Sequence, residues 1–186
     1  MTAGDLTTLA DLRQWLTIPD AVTDDDELLT RAISAVSAAI QTYLNRTIAQ
    51  ASYTDTRNGN GGYALSFGQY PVSAVASLSI DGNSIPASSS PTTPGYVFSP
   101  TQLLLRCYRF CTGVQNVTFT YTAGYVSTPL ELAQACIEWI SLRYRERDRI
   151  GQRSKSVGGE TISYFIGAMP DSCKLVLNNW RKVIPA

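Results

Sequence analysis

The chain of 186 residues is long enough to bury a substantial core; it balances 15 Lys and Arg against 15 Asp and Glu and contains no histidine. Zero net charge argues against a dedicated nucleic-acid binder, whose domain is usually strongly basic. The lack of histidine removes the commonest general base, and with it the Cys–His and Ser–His–Asp sets.

The first predicted helix covers residues 8–17, where Leu9, Leu12, Trp15 and Leu16 fall at helical spacing behind a Thr cap and Pro19 follows as a stop. The second covers 24–45. Thr23 is its expected N-cap, and Asp24, Asp25, Asp26 and Glu27 fill a first turn where carboxylates suit the helix dipole. Leu29, Ile33, Val36, Ile40, Tyr43 and Leu44 make its apolar stripe. From residue 51 the period falls to two. "SYTDTRNGNGGYALSF" reads as a hairpin, and "PVSAVASLSIDGNSIP" as a strand ending in an Asp81-Gly82 turn. An exposed Ser/Thr/Pro loop spans 87–95, and strands return up to residue 123 with Val117, Phe119 and Tyr121 on one face.

A long helix is expected over 129–149, with Pro129 at its first position and Thr128 and Glu131 forming a capping box. Leu132, Ala133, Cys136, Ile137, Ile140 and Tyr144 would face a core. Gly151 and the "SVGGE" turn break that helix, "ETISYF" alternates like a strand, and a last helix is expected over 171–180. The fold class predicted is α+β, a helical bundle body with an inserted antiparallel β lobe. A single connector domain over 1–186 would have its helical body in 1–50 and 128–186 and its β lobe in 51–127.

Charge is segregated along the chain. Acids dominate residues 1–30, whereas Arg143, Arg145, Arg147, Arg149, Arg153 and Lys155 crowd a short stretch against Glu146 and Asp148. On a helix these arginines spread to two sides and form no single phosphate-binding stripe. Pairs at i, i+3 such as Arg143–Glu146 would offset their repulsion. A solvated helix end, a protein interface, and direct nucleic-acid binding are the three readings of this segment. Only 16% of residues are charged, below the roughly 25% usual for globular domains, which favours a surface partly covered by other subunits.

Cys107, Cys111, Cys136 and Cys173 show no C-x2-C pair, so buried free thiols are expected rather than a zinc site. No phosphate-binding loop or dinucleotide fingerprint occurs, and no catalytic residue, metal ligand or cofactor is assigned. The sequence opens on no signal peptide and has no apolar run long enough to span a membrane, so synthesis in a reducing cytoplasm without membrane contact is expected.

In order along the chain, "LADLRQWL", "DDDELLTRAISAVSAAIQTYLNR", "YPVSAVASLSIDG", "NVTFTYTAGY" and "LRYRERDRIGQRSKSVGGETISYF" together resemble the head–tail connector proteins of tailed bacteriophages and gene-transfer particles, also called adaptor or head-completion proteins. The resemblance implies a virion protein without enzymatic activity, in a ring of about twelve copies under the portal that extends the DNA channel and joins head to tail. Its implied partners are further copies of itself, the portal protein, tail or tail-completion proteins, and packaged DNA passing without sequence-specific contact. The alternative is a nucleic-acid-binding accessory of DNA packaging that uses the Arg-rich segment. Interface candidates are Arg143, Arg145, Arg147, Arg149, Arg153 and Lys155, then Glu160, Ile162 and Tyr164 on the strand-like segment, and Asp24, Asp25, Asp26 and Glu27. Behind its Gly-rich hinge, the segment 151–166 is expected to be mobile in the free chain and to order on assembly by docking on the portal or a neighbouring subunit. The alternative is an ordinary hairpin folded onto the β lobe of its own subunit.

Overall fold

A computed structural model describes residues 4–147, 154–157, 160–163 and 169–182, with the backbone alone for 154–157 and 160–163. The chain divides into two compact units, residues 1–46 with 128–186, and residues 47–127.

The first unit holds α1 (Leu9–Leu16), α2 (Asp26–Leu44), α3 (Leu130–Arg145) and α4 (Asp171–Trp180). The Thr8 hydroxyl accepts from the Asp11 N–H at 3.1 Å and so caps α1 as expected. Thr17 and Asn45, both left-handed, end α1 and α2 with backbone bonds to the last turn. The stripe of α2 is buried as the spacing predicts, with Leu29, Ile33, Val36, Ile40 and Leu44 at its centre. α1 and α4 each pack against both α2 and α3. The buried arc of α3 is therefore wider than a single stripe and takes in Ala135, Trp139 and Ser141 beside Leu132, Cys136 and Ile140.

Two helix starts differ from expectation. α3 begins at Leu130 with Pro129 in the cap position and no side-chain cap bond, and the Glu131 carboxylate instead accepts from the Trp180 indole N–H at 2.9 Å. α2 begins at Asp26 behind Asp25, again without a side-chain cap bond. In α3 a tertiary partner has taken the carboxylate that the capping box assigned to the backbone, and in α2 Asp25 rather than Thr23 holds the cap position. A ribbon of β8 (Ser154–Val157) and β9 (Glu160–Ser163), paired antiparallel with Val157 opposite Glu160, completes this unit.

The second unit contains β1 (Ala51–Gly59), β2 (Ala64–Ser66), β3 (Val72–Ile80), β4 (Asn83–Ser84), β5 (Gly95–Phe98), β6 (Gln102–Arg106) and β7 (Gly113–Ala123). They form a sheet in the order β1-β7-β3-β4 and a second in the order β2-β6-β5, antiparallel throughout. The inward alternation of β7 buries Val117, Phe119, Tyr121 and Ala123 in a core shared with Phe67, Leu78, Tyr96, Leu103 and Phe110. The Asp81-Gly82 turn forms as predicted, both residues at positive φ, with Ile80 opposite Asn83. The hairpin expected over 52–67 does not form. β1 pairs with β7 and β2 with β6, because the connection between them is tied instead to the β6–β7 loop by the Gly61 N–H on the Phe110 carbonyl.

The expected helical bundle body is thus corrected: the described residues form a mixed α+β fold of four helices and two antiparallel sheets with the added ribbon. In a bundle the core is made by helices packed on one another. Here α1 and α4 have 8 and 10 residues against 19 and 16 in α2 and α3, and the strands enclose a core of their own.

Candidate functional site

The acidic start of α2 and the basic end of α3, far apart in sequence, meet within one chain. Asp25 accepts a short hydrogen bond from the Tyr144 hydroxyl and lies 3.7 Å from the Arg147 guanidinium. Arg147 also sits over the Tyr144 ring, 4.2 Å from its centroid. α3 was expected to continue to Arg149. It stops at Arg145, and Arg147, just beyond its end, reaches Asp25. Asp26 pairs with Arg13 at 3.1 Å. The Arg13 side chain is nearly buried and donates to the carbonyls of Pro19 and Asp20 at 2.9 and 3.2 Å and to that of Val22, gathering the whole α1–α2 connection around one guanidinium. Sequence reasoning missed this role of Arg13. Its signal was a lone cation among Asp5, Asp11, Asp20 and the acid cluster.

The other candidates divide by position. Asp24 and Glu27 are exposed, as are Arg143 and Arg145. Arg143 lies over the Trp139 ring at 5.6 Å, and the Arg143–Glu146 pair expected on the helix is not among the ion pairs of the described residues. Lys155 stands opposite Ile162 in the β8–β9 ribbon, with Glu160 at its turn end. Arg149, Arg153 and Tyr164 lie outside the described residues, as does half of the segment 151–166. Of the thirteen candidates, the structure brings Asp25 and Arg147 together directly.

An open groove of about 620 Å³ runs between α1 and α3, lined by Trp15, Leu130, Ala133 and Ile137 and rimmed by Asp11, Gln14 and Gln134. Trp15, expected in the core stripe of α1, is 47% exposed here, and Leu130 is 85% exposed. Cys136 and Cys173 are buried as expected, and burial pushes the Cys136 thiol up to about 11. Cys107 and Cys111 are exposed, against expectation, because they fall in the β6–β7 connection rather than in a strand. Among the described residues no three His, Cys, Asp or Glu side chains are grouped to hold a metal ion, and no helix is long and apolar enough to cross a membrane.

The sequence model of the head completion protein family matches residues 5–183. The chain belongs to the head completion protein family. No curated protein matches it. Among solved structures, a chain in the neck of an empty gene transfer agent particle, computed with C6 symmetry, is similar with 18% identity and a TM-score of 0.63, over 100% of this chain and 95% of that one. A chain in the neck of the native particle, computed with C12 symmetry, is similar with 17% identity and a TM-score of 0.61, over 100% and 94%. A chain in the virion of the native particle has 18% identity and a TM-score of 0.62, over the same shares. At these identities the likeness is one of fold, and it takes in both units of this head completion protein.

Proposed function

We propose that this chain is a structural protein of the virion at the junction of head and tail, where about twelve copies form a ring beneath the portal, prolong the DNA channel and seat the tail. The family match over nearly the whole chain carries this reading. The likeness in fold to chains of gene transfer agent necks, one of them computed with C12 symmetry, supports it. So does the low share of charged residues, which suits a surface covered by neighbours. The exposed arginines Arg143 and Arg145 are available to acidic groups on the portal or on an adjacent copy. DNA passes through the ring without sequence-specific contact, as befits a chain of zero formal net charge.

Particles produced without this chain test the reading: they are expected to contain filled heads without attached tails. Tailed, infectious or transducing particles in its absence would overturn it. Salt-dependent duplex binding by the isolated chain would point to the packaging-accessory role instead.

A further inference from the structure

We propose that the groove between α1 and α3 receives α4 of a second copy of this chain, with Leu175 seated between Trp15 and Leu130. The inference rests on the ring reading above and assigns the two faces that close it. The groove presents an apolar floor of Ala133 and Ile137, and its walls are the exposed parts of Trp15 and Leu130. Large apolar groups left open in this way mark contact sites more often than chance exposure does. On α4, Cys173 and Leu177 are buried in their own unit, whereas Leu175 is 72% exposed and the neighbouring Ser172, Lys174, Asn178 and Asn179 are polar and exposed. α4 thus offers one apolar knob in a polar surround, and the groove offers an apolar slot with a polar rim.

Knob and slot are different surfaces of the same unit, so their contact is heterologous: each copy uses its α4 on one neighbour and its groove on the other. Such a contact closes into a ring when its rotation divides the circle. Charge supports the pairing. Lys174 stands beside Leu175, and the groove carries Asp11 on its rim, with Glu138 bonded to the rim residue Gln134 at 3.0 Å. Asp171, one turn earlier on α4, keeps that face near neutrality. The apolar contact therefore supplies the affinity and the Lys174–Asp11 pair sets the register.

Crosslinking of the full chain decides the matter. In a Cys107→Ser, Cys111→Ser background, Leu130→Cys and Leu175→Cys are introduced together, and assembled rings are treated with a short bismaleimide. A ladder of crosslinked oligomers is expected from the double variant and none from either single variant. Leu175→Asp, at a site already exposed and so tolerated by the fold, is expected to lower ring yield about tenfold or more, with the thermal midpoint unchanged. Lys174→Asp should weaken assembly, and adding Asp11→Lys should restore it. Rings visible by electron microscopy without a ladder, or full assembly of Leu175→Asp, would overturn the contact and leave the ring reading standing. Absence of rings from the parent chain, alone or with the portal, would overturn both.

Discussion

Tyr121 concentrates the polar chemistry of the second unit at one buried hydroxyl. It donates to Asp55 Oδ2 at 3.1 Å and accepts from the Gln69 N–H at 3.0 Å, and Arg57 pairs with the same carboxylate oxygen at 3.0 Å. Burial first, and then the charge on Asp55, pushes the phenol from its ordinary value near 10 up to about 12. A proton held more tightly in the folded state stabilises the fold fully below pH 10, and that contribution is lost as pH rises through 12. In chemical denaturation, Tyr121→Phe is expected to cost about 1–2 kcal/mol at neutral pH and to flatten the fall in stability between pH 10 and 12. Arg13 is the comparable residue in the first unit. Its removal leaves the Asp26 carboxylate and three loop carbonyls without their shared donor. Arg13→Ala is expected to cost about 3 kcal/mol by thermal or denaturant unfolding, whereas breaking the half-exposed Arg147–Asp25 pair should cost under about 1 kcal/mol.

At the scale of elements, the end of β7 shows how a short motif earns its residues. In "TYTAGY", Ala123 is fully buried and Gly124 turns at φ 108° with its N–H on the Pro71 carbonyl. A Cβ at Gly124 would come within 2.6 Å of the Ala49 carbonyl oxygen, which is backbone and cannot swing aside. Gly124→Ala is expected to destabilise the second unit by about 1–3 kcal/mol, measured by denaturation and visible as faster exchange of the β1–β7 ladder. The helix ends teach the opposite lesson. Capping patterns at Thr128 and Thr23 located the starts of α3 and α2 to within a few residues, yet the acids in them serve Trp180, Tyr144 and Arg147. Local pattern sets where a helix can begin, and tertiary contact decides what its first carboxylates bind.

At the scale of the whole molecule, assembly is where the charged segment remains to be tested. Reversal of Arg143, Arg145, Arg147 and Arg149 together to Glu is expected to block particle assembly, while single Ala changes have little effect, since exposed pairs each contribute under about 1 kcal/mol. Normal particles from the fourfold variant would exclude a role for these arginines at the interface. β9 offers a second test. It pairs with β8, and a two-stranded ribbon is marginally stable on its own. Amides of 160–163 are expected to exchange quickly in the free chain and to become protected in the assembled ring. Strong protection already in the free chain would rule out ordering on assembly.

What the sequence by itself determined was the placement of the helices, the inward face of β7, the Asp81-Gly82 turn and, through a string of motifs, the family. These depend on periodicity, turn chemistry and backbone conformation, which are properties of neighbouring residues. Tertiary structure alone decided the partners. β1 passed over its predicted hairpin mate for β7, Trp15 left the core stripe to line a groove, Arg13 took a buried site, and Asp25 met Tyr144 and Arg147 across more than a hundred residues. Strand pairing and side-chain contact depend on what else competes for the same surface, and that competition is settled only when the whole chain has closed around its two units.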